Sequence, residues 1–160
     1  MTTITPTPRG VKNNNPLNIR YVADNTWQGR VEVNKKDKEF EEFKSMYFGY
    51  RAAIKLIYNY MTKYNLRTIP AIISKWAPFN ENQTDNYIRI VSQRTGIPPT
   101  KSIDFVKPCY MFKLVAAMAL VECGFTPEPK EIIAAYLDVC VEKKVKLPMG
   151  TCPMLYGLTA

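Results

Sequence analysis

Apolar and polar residues follow a helical period through the middle of the chain. Over 45–64 the apolar positions recur at steps of three and four, which predicts one helix with a single buried stripe. The stripe consists of Tyr50, Ala53, Ile54, Ile57, Met61 and Tyr64. A shorter helix is predicted over 68–76, with Thr68 as its cap. A third is predicted over 80–96, where Asn80 begins a capping-box arrangement.

The pattern changes after residue 100. One more helical turn is expected over 101–107, followed by a helix over 110–124 that is apolar on nearly every face. A helix of that kind is usually buried on all sides. A final helix follows, with Thr126 as its predicted cap and Pro127 at its first position.

The beginning of the chain lacks a helical period. Residues 1–10 have the composition of a flexible arm. Residues 17–34 have a β-type composition that predicts a small hairpin or an irregular β element, with Gly29 at a tight turn or bulge. The expected class is therefore α+β and mainly α. A core over 11–97 would carry a helical C-terminal extension over 98–160, packed on it as a single compact unit.

Composition indicates a folded domain with no membrane span. Apolar residues make up 46% of the 160 positions, which is enough for a hydrophobic core. No apolar run approaches the roughly 20 residues that cross a bilayer. The N-terminus has no basic patch followed by an apolar stretch, so no secretory signal is expected. The sequence predicts a protein that is cytoplasmic as made, unless another system or a virion carries it to the cell wall.

The positive charge is concentrated in the front part of the chain. Residues 1–100 hold 15 Lys/Arg against 8 Asp/Glu, whereas 101–160 hold 7 against 6. This asymmetry favours an anionic partner, such as nucleic acid, a wall polymer or a membrane surface. Solubility alone would explain it equally well, and both interpretations stay open.

The residue types restrict the available chemistry. The chain has no histidine, and its four cysteines form no CxxC pair. Ser-His and Cys-His nucleophile systems are therefore excluded, and neither a metal site nor a cofactor is expected. Cys123 and Cys140 fit apolar helical patterns and are expected to be small core residues. Any catalysis has to use carboxylates, tyrosines or lysines.

Four asparagines fall within six positions in the segment NNNPLN, at 13–18. Asparagine tolerates left-handed turns, and a residue before proline is kept out of the α region. The amides would equally suit the hydroxyls and N-acetyl groups of a sugar. A turn and a ligand-binding surface therefore remain alternative explanations.

Two glutamates are candidates for acid–base chemistry. Glu81 lies at a helix start beside Trp76, where the helix dipole alone would stabilise an acid, but where a sugar-cleaving site could also place one. Glu122 lies on an apolar helix, where poor solvation would raise its pKa, although an ion pair or an exposed helix end would also explain it. The acids of EFEEF, Glu39, Glu41 and Glu42, are expected to form a solvated rim.

Several segments together resemble a family of phage-associated and Bacteroides-type proteins, described as virion structural proteins or lysozyme-like peptidoglycan hydrolases. They are RGVKNNNPLNIRY, TWQG, FEEFKSMYFGYRAAIKLIYNYM, TIPAIISKWAPFNENQTDNYI and VSQRTGI. The resemblance covers roughly 9–97, with weaker similarity through VAAMALVECG. It implies a lysozyme-like helical domain.

The order of these parts is also similar to that of bacterial-wall N-acetylglucosaminidases of the lysozyme superfamily. The positions that match are Asn13, Asn14 and Asn18 for the asparagine segment, Phe43 and Tyr47 for an aromatic helix entry, and Trp76, Thr84 and Tyr87 for a later motif. In those enzymes the catalytic glutamate lies upstream of the asparagines, at the end of a helix. Here the first carboxylate is Asp24, so either another acid replaces it or the activity is lost.

The leading hypothesis is that the protein binds peptidoglycan glycan strands. Whether it also cleaves them, as a glycoside hydrolase or lytic transglycosylase, stays open. The expected sugar contacts are Asn13, Asn14, Asn18, Arg20, Trp27, Trp76 and Thr84. Glu81 is the expected acid/base with Tyr87 as its neighbour, and Glu122 is the second choice. The alternative is a catalytically inactive structural or glycan-recognition protein with virion or envelope partners. A nucleic-acid module ranks last, because most aromatics occupy core positions of helices.

Overall fold

A computed structural model of the protein describes residues 5–78 and 80–148, without the side chains of Glu81 and Asn82. Within this part the fold is mainly helical, as predicted. Six helices follow one another along the chain: α1 (Arg9–Lys12), α2 (Met46–Lys63), α3 (Ile69–Trp76), α4 (Glu81–Thr95), α5 (Pro108–Cys123) and α6 (Pro129–Glu142).

The predicted helix boundaries in the middle of the chain are confirmed, because capping chemistry fixes them. The Thr68 side chain accepts a hydrogen bond from the Ala71 N–H at the start of α3. Asn80 does the same for Gln83 at the start of α4. Helix α4 ends at Gly96, whose left-handed backbone (φ 69°) suits a residue without a side chain.

Three details of the helix prediction are wrong. Helix α6 begins at Pro129 rather than near Thr126, because Glu128 precedes a proline and is held in extended backbone. The turn expected over 101–107 is confined to 104–107, where the Lys107 N–H donates to the Asp104 carbonyl at 3.1 Å, and no helix forms there because the Ile103 N–H donates to the Arg67 carbonyl. Tyr64 was expected in the buried stripe of α2, but it follows the last residue of that helix and is 58% exposed.

Of the two alternatives for 17–34, the hairpin is wrong and the irregular β element is the one that forms. In the described residues this segment forms isolated antiparallel bridges with a later segment, between Arg20 and Phe40 and between Arg30 and Phe43. The buried Asn15 amide supports this arrangement, because it donates to both the Ile19 and the Glu41 carbonyl oxygens at 2.9 and 3.0 Å. The β-type residues therefore pair with 40–43 instead of with one another.

A buried ion pair holds this irregular region together. The Arg30 guanidinium lies 2.9 Å from the carboxylate of Glu41, which is fully buried and therefore not part of the solvated rim expected from EFEEF. Arg30 also donates to the backbone carbonyls of Val22, Ala23 and Asn25. The hydrogen bonds replace those that a regular sheet would supply.

The last two helices share one continuous hydrophobic core with the rest of the described chain. Helix α6 packs mainly against α2, where buried Arg51 binds Asp138 at 2.6 Å and Glu142 at 3.2 Å. The Tyr136 hydroxyl donates to the Phe105 carbonyl at 2.6 Å. Helices α5 and α6 therefore belong to the same core as α2.

Two buried glycines let the asparagine loop lie directly on the helices. At Gly49 in α2, a Cβ atom would overlap the Asn14 carbonyl oxygen and lie 2.6 Å from Pro16. Gly10 lies in α1, although 1–10 was expected to be an arm, and a Cβ there would lie 2.6 Å from both the Asn15 carbonyl and the Asn18 side chain. Neither position has room for a methyl group.

We expect Gly49→Ala to lower the free energy of unfolding by about 1–3 kcal/mol, the range for overpacked sites. The clash is with backbone, which cannot move aside, so it should outweigh the ~1 kcal/mol by which alanine favours a helix. Urea denaturation measures the change. Thr62→Ala, at an exposed position of the same helix, is the control and should be nearly neutral. A stabilised Gly49→Ala variant would show that the loop does not press on α2.

Candidate functional site

A cleft of about 660 Å³ lies where the irregular β region meets helices α2, α3 and α5. Aromatic side chains form much of its wall: Trp27, Phe40, Tyr60 and Trp76. Its polar lining consists of Asn18, Arg20, Asn25 and Glu122. The structure thus brings together Asn18, Arg20, Trp27, Trp76 and Glu122 from the residues predicted to form a site.

Glu122 is the carboxylate in the described lining of this cleft. It is the next-to-last residue of α5 and is half-buried. The Asn18 side chain donates to Oε2 at 3.1 Å and to the Glu122 backbone carbonyl at 3.2 Å. The Tyr87 hydroxyl donates to Oε1 at 3.0 Å. Both oxygens of the carboxyl group are therefore positioned by neighbouring side chains.

The surroundings of Glu122 favour its protonated form. Burial raises the pKa of the Glu122 carboxyl, and the hydrogen bonds from Asn18 and Tyr87 lower it only in part. The pKa of Tyr87 is raised well above its ordinary value by burial and by the nearby carboxylate, so its hydroxyl keeps its proton. The result is a carboxyl group that can hold a proton at a higher pH than an exposed glutamate.

The sequence places Glu122 here because α5 is buried almost throughout and ends immediately afterwards. Gly124 adopts a left-handed backbone (φ 70°) and terminates the helix. Cys123 is a buried thiol, as expected, and its Sγ donates to the Pro16 carbonyl at 3.2 Å. This contact fixes the helix end against the asparagine loop, and Gly10 allows the close approach.

The four asparagines divide between the two explanations. Asn13 donates to Asp37 at 2.8 Å, Asn14 has a left-handed backbone and donates to the Phe43 carbonyl at 3.1 Å, and Asn15 is buried. These three stabilise the loop, and neither Asn13 nor Asn14 is part of the described cleft lining. Asn18, also left-handed (φ 50°), directs its amide to Glu122.

The other predicted residues have separate roles. Arg20 is exposed, and its guanidinium lies 5.0 Å from the centre of the Phe40 ring. The Trp76 indole N–H donates to the Leu17 carbonyl at 3.2 Å, which fixes the ring in the wall.

Thr84 is buried, and its hydroxyl donates to the Ala77 carbonyl at 3.3 Å. Glu81 is the first residue of α4, and its side chain lies outside the described part.

Two aromatic residues that line the cleft, Phe40 and Tyr60, were not predicted as site residues. Phe40 lies between charged residues, a pattern that hides its role. Tyr60 precedes Met61, a member of the predicted stripe of α2. It could therefore have been identified as an aromatic residue at the edge of the buried face.

Over residues 5–78 and 80–148, no cluster of histidine, cysteine, aspartate or glutamate could hold a metal ion. In the same part of the chain, no helix has the length and hydrophobicity required to cross a membrane.

The fold and site define a small, mainly helical protein with a carboxyl group held in an aromatic cleft. No family model matches the sequence. The chain is 40% identical over 129 residues to protein P5 of Pseudoalteromonas phage PM2, covering 79% of this chain and 78% of the phage protein. The chain therefore belongs to the family of that phage protein. The relationship agrees with the phage-associated part of the resemblance and is compatible with virion association.

We expect Glu122→Gln to raise the melting temperature at about pH 7 relative to the wild type. A raised folded-state pKa makes the ionised carboxyl unfavourable in the fold, so stability is greatest below the ordinary glutamate pKa and falls as pH rises through the folded value. The advantage of the variant should therefore disappear near pH 4. Differential scanning calorimetry across pH measures this, and an equal advantage at every pH would contradict it.

Proposed function

We propose that this protein binds the glycan strands of peptidoglycan in the aromatic cleft and cleaves them with Glu122 as the acid/base. The observation that carries the proposal is the position of Glu122, a half-buried carboxyl with raised pKa that faces a sugar-sized cleft from the end of a helix.

The resemblance to lysozyme-like enzymes supports this choice of acid. Those enzymes have their catalytic glutamate upstream of the asparagine segment, at the end of a helix. Here Glu122 is the next-to-last residue of α5 and contacts Asn18, so a glutamate near a helix end meets the asparagine segment from the other side in sequence. For this reason Glu122 is preferred to Glu81 as the acid.

The chemistry follows from the surroundings of the carboxyl group. Flat apolar faces of Trp27 and Trp76 would pack on sugar rings, and exposed Arg20 would contact polar substituents at the rim. Protonated Glu122 would donate its proton to the glycosidic oxygen as the bond to the anomeric carbon breaks.

The number of carboxylates favours a transglycosylase-like route. Most glycosidases use two carboxyl groups, one as acid and one as base or nucleophile. In the described lining of this cleft Glu122 is accompanied by no second carboxylate. A hydroxyl group of the substrate would then attack the anomeric carbon, returning its proton to Glu122 and giving an anhydro sugar.

A second candidate is a glycan-recognition or virion structural protein without catalysis. One observation favours it: both oxygens of Glu122 already accept hydrogen bonds from Asn18 and Tyr87, as in a purely structural polar cluster. In either case, the relationship to a phage protein supports delivery to the wall by a virion.

We expect purified protein to release anhydro muropeptides from sacculi, and Glu122→Gln to reduce the rate by about 10²–10⁴-fold, the usual contribution of a general acid. Mass spectrometry of the supernatant measures release, and sedimentation with the sacculi measures binding. Glu32→Gln, an exposed glutamate, is the control and should retain the full rate.

Other outcomes identify the competing hypotheses. Binding without release by the wild type would establish the non-catalytic alternative. Loss of muropeptide release in Glu81→Gln but not in Glu122→Gln would show that Glu81, at the start of α4, is the acid/base. Release of reducing-end fragments only would exclude a substrate hydroxyl as nucleophile.

We expect Tyr87→Phe to move the alkaline limb of the pH–activity profile to higher pH. The Tyr87 hydroxyl lowers the pKa of Glu122, so its removal should keep the carboxyl protonated further into the alkaline range. Tyr110→Phe is the control, since the Tyr110 hydroxyl makes no hydrogen bond within the described chain. An unchanged pH profile with a uniformly lower rate would show that Tyr87 acts only through packing.

A further inference from the structure

A second groove, of about 570 Å³, is lined almost entirely by charged side chains. The described lining consists of Arg9, Lys12, Asn13, Lys36, Asp37, Lys38 and Glu42. Of these residues, only Asn13 was predicted from the sequence to contact a ligand. We call it the basic groove.

The two acids in the basic groove are already bound within the protein. Asp37 accepts hydrogen bonds from the Arg9 guanidinium at 2.5 and 2.7 Å and from Asn13 at 2.8 Å. These donors hold the pKa of Asp37 well below its usual range, so it stays ionised and paired. Glu42 accepts the backbone N–H of Lys36 at 2.7 Å. Arg9 balances the charge of Asp37, whereas Glu42 keeps its negative charge. One arginine and three lysines against two carboxylates leave the groove with a net positive charge.

The lysines of the groove are available to a ligand. Lys12, Lys36 and Lys38 are exposed, and none forms an ion pair with another residue of the described chain. Three ammonium groups around one concave surface attract anions, and an ammonium group is a flexible donor that suits carboxylates without fixed geometry. The excess positive charge of the front part of the chain is thus partly gathered here.

The basic groove is joined to the aromatic cleft through one ring. The Phe40 side chain lines the cleft, and the guanidinium groups of Arg20 and Arg9 lie 5.0 and 4.5 Å from its centre. Arg20 belongs to the cleft lining and Arg9 to the groove lining. The cleft and the groove therefore adjoin at Phe40, within reach of a branched polymer bound in the cleft.

From this arrangement we infer that the basic groove binds the carboxylates of the stem peptides that branch from the glycan strand. The inference rests on the proposed function and specifies its substrate as a glycan bearing acidic peptides, rather than a neutral amino-sugar polymer. The cleft would contact the sugars, and the groove would select strands that carry uncapped peptide acids.

The experiment compares calorimetric binding of three ligands in the Glu122→Gln background, which prevents turnover: a disaccharide–peptide with free carboxylates, the same compound with amidated carboxylates, and a neutral chitooligosaccharide. We expect the triple variant Lys12→Gln, Lys36→Gln, Lys38→Gln to bind the free-acid ligand about tenfold more weakly, since each exposed pair contributes a factor of a few. Binding of the two ligands without free carboxylates should not be weakened.

A second triple variant, which has the same net charge as the first, is the matched control. Lys63→Gln, Lys101→Gln, Lys113→Gln removes three exposed lysines outside the groove and should change every affinity by less than about twofold. If both triple variants weaken binding of the free-acid ligand equally, net charge alone causes the effect and the inference is overturned.

The remaining outcomes separate this inference from the proposed function. Glycan binding with no difference between free-acid and amidated ligands overturns the groove assignment and leaves the cleft intact. Binding of the free stem peptide without any glycan binding supports the groove and contradicts the glycan cleft. Steeply salt-dependent DNA retention that only the groove variant loses, without selectivity for stem acids, would make the groove a nucleic-acid contact and overturn the inference.

Discussion

The hydrogen bonds between Asn18 and Glu122 join residues that are 104 positions apart, and the candidate site exists only where these segments meet. The contact requires the asparagine loop to lie directly against the end of α5. Gly10 leaves the necessary space, and the Cys123 thiol bonds the loop backbone beside it. Gly10, Cys123 and Asn18 together hold the asparagine loop against the end of α5. The carboxyl that results is oriented on both oxygens before any ligand arrives.

The irregular region opposite α5 is held by a buried charge pair rather than by a sheet. Arg30 and Glu41 are both removed from water, which is costly unless their remaining hydrogen-bonding capacity is used. The carbonyls of Val22 and Asn25 fulfil that requirement for Arg30, and both residues also line the cleft. The charge pair therefore shapes one wall of the candidate site while it supports the local fold.

Local sequence signals were sufficient for most of the helices, because capping residues and periodicity act over a few positions. Thr68, Asn80 and Gly96 mark boundaries that the structure has at the same places. The hairpin was wrong because strand pairing depends on long-range partners, and the buried amide of Asn15 selects 40–43 over the neighbouring segment. For the same reason Glu41 was taken for a surface acid: nothing near it in the sequence shows that Arg30 lies beside it. Glu122 was recognisable as an unusual acid on an apolar helix, but its neighbours Asn18 and Tyr87 could be identified only from the fold.

The large sequence separation between the asparagine loop and α5 also bears on synthesis. A growing chain on the ribosome carries the loop, the aromatic walls and α2 well before α5 has left the exit tunnel. Until then Asn18 has no partner from residue 122, and the floor of the cleft is missing. Contacts of such high sequence separation form late in folding, because a long loop has to close first. A chain that stops before α5 would therefore carry the aromatic walls of the cleft without Glu122, and the cleft is assembled only once residue 122 has been made.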